Sequence, residues 1–217
     1  MSLNPDKGKL HLSLRPGLYL VVTEPRDGYE RVCEWAVKAG LPCVQLRYKG
    51  HDDREHLALA QKLRHITAST DTLFIVNDRP DIALMSGADG LHLGQDDLPA
   101  AEVRHLIGPE RLLGLSTHNL DQVRAANDAP VDYIGFGPLY ATSSKTRPDP
   151  VLGPEVLKDA HALSRHPIVA IGGLDLQRIA GLRRYAHNMA VIRAVCDAPD
   201  SLAAMRAIHA ASLGMDC

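Results

Sequence analysis

Aromatic residues are scarce, at 4% of the 217 residues. This argues against the stacked aromatic platforms on which single-stranded nucleic acids lie. Neither sign of charge dominates, the formal net charge being −2, so no bulk attraction to nucleic acid or to an anionic membrane is expected. The four cysteines, Cys33, Cys43, Cys196 and Cys217, are widely spaced and form no C-x-x-C pair. A disulfide framework and a structural zinc site are both disfavoured, and reduced, mostly buried thiols are expected. No apolar run approaches the length of a membrane span. The opening MSLNPDKGKLHLSLRPG lacks the apolar centre of a signal peptide, so the cytoplasm is the expected compartment. Residues 1–16 read as a polar leader and residues 17–217 as one domain.

A two-beat pattern fills the rest of the chain, which is 45% hydrophobic. Short runs rich in Val, Ile and Leu lie at 18–22, 43–47, 73–76, 90–93, 112–115, 133–136, 168–171 and 189–192. They lack polar alternation, as strands buried on both faces do. Helically spaced segments follow at 27–39, 52–69, 81–85, 98–106, 119–126, 154–164, 175–185 and 198–211, and Asp52, Asn119 and Asp175 stand where N-caps are expected. Eight strand–helix beats without a break in composition predict an α/β fold, a single (β/α)8 TIM barrel. A doubly wound open sheet is the rival, but no G-x-G-x-x-G follows the first strand.

Active sites of such barrels sit at the C-terminal ends of the strands. There the sequence places Gln45, Arg47 and Lys49, then Asn77 and Asp78, then Gln95 and Asp97, then Ser116, Thr117 and His118. Further on come a loop containing Thr142, Ser144, Lys145 and Arg147, the pair Gly172-Gly173, and Ile192-Arg193-Ala194. Isolated cations facing two carboxylates suit a pyrophosphate bound with a divalent cation. A Gly-Gly turn lets backbone N–H groups approach an anion. Each residue also has a plainer reading. Asp78 and Asp97 could cap helices, Gly172-Gly173 could be a tight turn, and Gln45 could fill the barrel interior. His92 reads as a hydrogen-bonded pocket histidine. These plainer readings are independent of one another, yet all the residues fall on one rim.

The motifs VQLRYK, IVNDRPDIALMSGADGLHLGQDDLP, LLGLSTH, DYIGFGPLYATSSKT and IVAIGG, in this order, resemble the thiamine-phosphate synthase family from about residue 17 onward. The resemblance implies a transferase of thiamine biosynthesis that joins hydroxymethylpyrimidine diphosphate to hydroxyethylthiazole phosphate. It implies Mg²⁺ on Asp78 and Asp97, and the pyrimidine diphosphate on Gln45, Arg47, Lys49 and Asn77, with Ser116 near the ring. Thr142, Ser144 and Lys145 would belong to a covering loop, with Lys145 on the pyrophosphate. Gly173, Ile192 and Arg193 would receive the thiazole phosphate. The implied catalytic residues are Arg47, Lys49, Ser116 and Lys145. Small-molecule substrates are the expected partners, with no nucleic acid or membrane, and a homodimer is the assembly left open. The chain departs from the family pattern at Tyr48, commonly acidic, at Ser144, commonly Thr, and at Arg193, commonly a small Ser. Two alternatives stand beside the synthase reading: a thiazole tautomerase using His118, and a non-catalytic barrel that binds phosphates of the same pathway.

Overall fold

In the computed structural model, which describes residues 12–142 and 149–215, the apolar runs form eight strands. They are β1 (Gly17–Val22), β2 (Cys43–Leu46), β3 (Leu73–Asn77), β4 (Gly90–Leu93), β5 (Leu112–Thr117), β6 (Tyr133–Phe136), β7 (Ile168–Ala170) and β8 (Asn188–Val191). All pair in parallel in chain order, and β8 returns to β1, with Leu18 opposite Met189. That closure makes the sheet a barrel and excludes the open sheet. Helices fill the intervals: α1 (Tyr29–Lys38), α2 (Asp53–Thr67), α3 (Pro80–Ser86), α4 (Ala100–Ile107), α5 (Leu120–Ala126), α6 (Val156–Leu163), α7 (Leu176–Ile179), α8 (Arg193–Cys196) and α9 (Ser201–Leu213). Most of the leader expected over residues 1–16 lies outside the described residues, as do Ser144, Lys145, Arg147 and Cys217.

Strand residues alternate between two apolar regions. Leu20, Val22, Val44, Phe74 and Val76 point outward and pack with helix residues such as Val32, Ala36 and Leu63. Tyr19, Val21, Cys43, Ile75, Leu112, Tyr133, Val169 and Ala190 form the separate core inside the barrel. Both faces of a strand are therefore buried, and β1 is buried at every residue. This is why the strand sequences show no polar stripe. Gly114 and Gly135 give the interior its room. A Cβ on Gly114 would collide with the Tyr133 ring and with His92 Nδ1, and one on Gly135 would sit 3.3 Å from His92 Cε1.

The expected caps are in place. The side chain of Asp52 accepts from the N–H groups of Arg54 and Glu55, Asn119 from Gln122, and Asp175 from Gln177 and Arg178. The helix expected to run from Asp175 to Tyr185 stops at Ile179. Gly181 weakens the helical backbone there, and tight turns follow, with the Leu182 N–H on the Ile179 carbonyl at 3.0 Å. The last helical segment starts at Ser201 behind the Asp200 cap. One turn of helix that the sequence pattern did not reveal, α8, precedes it directly after β8.

The end of the barrel away from the candidate site is tied by repeated carboxylate contacts. Asp89 accepts the Phe74 N–H at 2.9 Å and pairs with Arg64 at 3.1 Å. Asp132 accepts the Leu113 N–H at 2.7 Å and pairs with Arg104 at 2.6 Å. Each joins the start of one strand to its neighbour and to a helix. Asp89→Ala would orphan the Phe74 N–H and remove the ion pair of Arg64. It is expected to lower stability by about 1–3 kcal/mol, read as a lower urea midpoint at unchanged m-value.

Candidate active site on the C-terminal rim

The rim begins where the inward positions of the strands turn polar. Gln45, Asn77, His92 and Ser116 occupy the upper inner wall on β2, β3, β4 and β5, and with Arg47 and Ile192 they line a slot inside the barrel mouth. A wider cavity opens above, lined by Arg47, Asn77, Asp78, Gln95, Asp97 and Ser116. A third, more apolar, is lined by His118, Thr142, Gly172, Gly173, Ile192 and Arg193. Ser116 borders all three. Of the expected site residues, Gln45, Arg47, Asn77, Asp78, Asp97, Ser116, Thr142, Gly173, Ile192 and Arg193 thus converge on one rim.

Neither Asp78 nor Asp97 caps a helix. The N-cap positions of α3 and α4 are Arg79 and Pro99. Instead the two carboxylates face each other. Burial and the neighbouring Asp97 carboxyl push Asp78 up to about 7, against the lowering effect of Arg47 and of a hydrogen bond from Asn77. Asp97 is held by the Gly94 N–H at 2.6 Å. Two carboxylates crowded until one keeps its proton are a donor set that a divalent cation would relieve. Among the described residues no group of three or more His, Cys, Asp or Glu suits a metal. A two-carboxylate site fits Mg²⁺, which keeps waters and shares phosphate oxygens. Asp78 also holds a left-handed backbone, φ 63°, which is uncommon outside glycine and is characteristic of functional positions.

Lys49 does not border these cavities. Its ammonium meets Glu24 at 2.8 Å. Glu24, itself at φ 45°, also lies 3.6 Å from Arg193, whose guanidinium reaches Asp197 at 3.1 Å. Arg193 therefore lines the third cavity while its charge is drawn along the rim by two carboxylates. The hydrogen bond and charge of the Lys49 ammonium hold the Glu24 carboxyl below its usual range. Tyr48 turns away from the site: its hydroxyl bonds Glu55 at 2.5 Å and its ring stacks on His56. Gly172 and Gly173 have positive φ, and side chains there would strike Pro138 and the Ala141 carbonyl. The turn is thus required by packing as well as open to the cavity.

Sequence reasoning missed Glu24, Tyr19, Tyr133 and Asp149. Asp149 lines two cavities and lies 3.6 Å from His118 Nε2, while His118 Nδ1 bonds the Gly137 carbonyl at 2.6 Å. The available signal for the tyrosines was a phenol in the middle of an aliphatic strand, since a buried hydroxyl needs a partner.

A family model described as thiamine monophosphate synthase matches residues 18–195. A thiamine-phosphate synthase of Roseiflexus sp. (strain RS-1) is 41% identical over 199 residues, covering 89% of this chain and 84% of the relative. One of Synechococcus sp. (strain CC9605) is 42% identical over 194 residues, and this chain spans 55% of its length, covering 89% of its own. The solved thiamine phosphate pyrophosphorylase of Pyrococcus furiosus superposes with a TM-score of 0.85 at 28% identity, covering 93% of this chain and 97% of that one.

The carboxylate pair makes stability depend on pH. Without metal, native Asp78 keeps its proton to about 7, whereas an unfolded Asp releases it near ~3.9. Between those values the native state binds more protons, so this group's contribution to stability falls as pH rises. In chelator, Asp78→Asn is expected to raise the urea midpoint above wild type at pH 8, with the gap closing towards pH 4. An equal gap at both pH values would assign the effect elsewhere.

Proposed function

We propose that this chain, which belongs to the thiamine monophosphate synthase family, catalyses the coupling of hydroxymethylpyrimidine diphosphate with hydroxyethylthiazole phosphate to give thiamine phosphate and pyrophosphate. The observation that carries the proposal is the facing pair Asp78 and Asp97, with Arg47 beside it, directly above the slot of Gln45, Asn77 and Ser116. In this reading the pyrimidine ring enters the slot and its diphosphate lies across the upper cavity. Arg47 and Lys49 would hold diphosphate oxygens, joined by Lys145 from the loop whose central residues are not described. Mg²⁺, when bound to Asp78 and Asp97, would neutralise diphosphate oxygens.

Negative charge grows on the leaving pyrophosphate as the C–O bond breaks, so these fixed cations favour the transition state over the ground state. The ring methylene becomes cation-like and is captured by the thiazole nitrogen, in a dissociative displacement that requires no protein nucleophile. The cavity of Gly173, Ile192 and Arg193 would take the thiazole phosphate, and Thr142 and Ser144 would help exclude water from the bound substrates. Glu24 gives this scheme a counterweight. It binds the Lys49 ammonium that the diphosphate would need and also contacts Arg193.

A second reading rests on His118, whose ring lies in the cavity of Gly172 and Gly173. An isomerisation of a carboxylated thiazole phosphate would use this histidine and would not use the carboxylate pair.

Purified protein with both substrates and Mg²⁺ is expected to release thiamine phosphate and pyrophosphate in equal amounts, and chelator should stop the reaction. Asp97→Ala should lower kcat/KM by roughly 10²-fold or more, since even outer-sphere partners of metal ligands contribute 10–100-fold. Wild-type coupling in that variant, or metal-independent isomerisation of the carboxylated thiazole phosphate, would overturn the proposal. Glu24→Gln removes the competing anion at Lys49. It is expected to lower the inhibition constant of pyrophosphate about 2–5-fold, the modest scale on which an exposed ion pair competes.

A further inference from the structure

Below the diphosphate region, side chains on five strands join in one chain of hydrogen bonds, buried at Gln45, Tyr19 and Tyr133 and half-buried at His92 and Ser116. Gln45 Nε2 donates to Tyr19 Oη at 2.9 Å. The Tyr19 and Tyr133 hydroxyls meet at 2.8 Å. Tyr133 Oη lies 3.2 Å from His92 Nδ1, and His92 Nε2 lies 3.0 Å from Ser116 Oγ. Tyr19, Tyr133 and Gln45 are 2%, 1% and 4% exposed. The two ends of the chain, Gln45 and Ser116, border the same slot. Burial raises both phenols, so each keeps its proton.

The direction of the chain follows from the Gln45 amide, whose nitrogen faces Tyr19, together with a count of protons. A buried donor without an acceptor is costly, and each hydroxyl has one proton to give. The Gln45 amide nitrogen can only donate. Tyr19 then donates to Tyr133, and Tyr133 donates to His92 Nδ1. His92 carries its proton on Nε2 and donates to Ser116 Oγ. In the reverse direction, Tyr19 would receive two donors and its own proton would have no acceptor along the chain. The forward order leaves a defined polarity at the slot. Gln45, its nitrogen committed to Tyr19, presents Oε1 as an acceptor, and Ser116, its oxygen occupied by His92, presents its hydroxyl proton as a donor.

We propose that Tyr19, Tyr133 and His92 are positioning residues whose relay sets Gln45 as acceptor and Ser116 as donor towards the bound ring. The slot therefore selects a heterocycle with an N–H group towards Gln45 and a bare ring nitrogen towards Ser116. A ring with these groups exchanged meets donor against donor and acceptor against acceptor, the arrangement that gives hydrogen-bonding sites their largest discrimination. This inference rests on the slot being the pyrimidine site. Stacking of His92 against Tyr133, with centroids 5.5 Å apart, and the Cβ-free positions of Gly114 and Gly135 hold the imidazole in the required plane.

Two measurements on the full chain test it. Nitrogen NMR of protein labelled at histidine, with the His92 resonances identified by their loss in His92→Asn, is expected to show Nε2 protonated and Nδ1 bare. Tyr133→Phe, which removes one oxygen, should mix the two tautomers. A wild-type His92 protonated on Nδ1 would overturn the relay whatever the enzyme does. The second measurement compares 4-aminopyrimidin-5-ylmethyl diphosphate with its 4-oxo counterpart as competing ligands. The preference for the amino compound should fall about 10-fold in Tyr133→Phe and in Tyr19→Phe, while the affinity for inorganic pyrophosphate stays unchanged. An unchanged preference in both folded variants would overturn the proposal. Failure of wild type to bind either compound would instead remove the pyrimidine reading of the slot, and the NMR result would still decide the relay.

Discussion

A closed parallel barrel seals half of its strand side chains inside a space that has no room for bulk water, and the rest of this structure follows from that constraint. Low on the inner wall the positions are filled by residues such as Cys43 and Leu112, and the buried Asn188 there gives its amide protons to the Arg15 and Gly17 carbonyls. Higher up, Gln45, His92 and Ser116 replace the aliphatic residues, and each must find a hydrogen-bond partner among its neighbours. They find one another through Tyr19 and Tyr133. The transition from packed hydrocarbon to a satisfied polar layer marks the floor of the slot. The carboxylates and cations above it occupy the rim, where water and ligands can reach them.

The barrel was legible because burial on both faces erases polar alternation. Eight short aliphatic runs separated by capped helical segments leave few other arrangements. Strand edges shifted by a residue or two, as at Thr117 and Asn188, because the residue that ends a strand is set by pairing with its neighbour and not by its own hydrophobicity. The spacing from Asp175 to Tyr185 allows a helix, but Gly181 lies within it and the hydrogen bonds revert to tight turns.

The charged part of the site was legible for a different reason. Asp78, Asp97 and Arg47 stand at strand ends, where the barrel architecture alone assigns a location. The residues behind them were not. Tyr19 and Tyr133 sit among aliphatic residues and carry no spacing that marks them as partners, being 114 positions apart. Glu24 lies in the first loop, and only the fold brings it to Lys49 and Arg193. Lys49 and Arg193 are far apart in the sequence; in the fold they share one anion. Long-range pairing of this kind depends on register, which a single sequence specifies only through the finished barrel.

The floor and the rim are mechanically one unit at β4. The carbonyl of His92 accepts the Asp78 N–H at 2.8 Å, while the ring of the same residue joins Tyr133 to Ser116. That backbone bond is one of the contacts that hold Asp78 at φ 63°, a conformation uncommon outside glycine. The Arg79 N–H, bonded to the Asn77 carbonyl at 2.8 Å, closes the turn from the other side. Arg79 is itself fixed by Asp53 and Asp81, which explains an arginine in the motif that touches no cavity. From the loop after β4, Gln95 Nε2 donates to the Ser116 carbonyl at 2.6 Å. The carboxylate that would meet a cation and the hydroxyl that would meet a ring are thus both anchored through β4 and the loop that leaves it. Precision at the rim is therefore inherited from the satisfied polar layer beneath it.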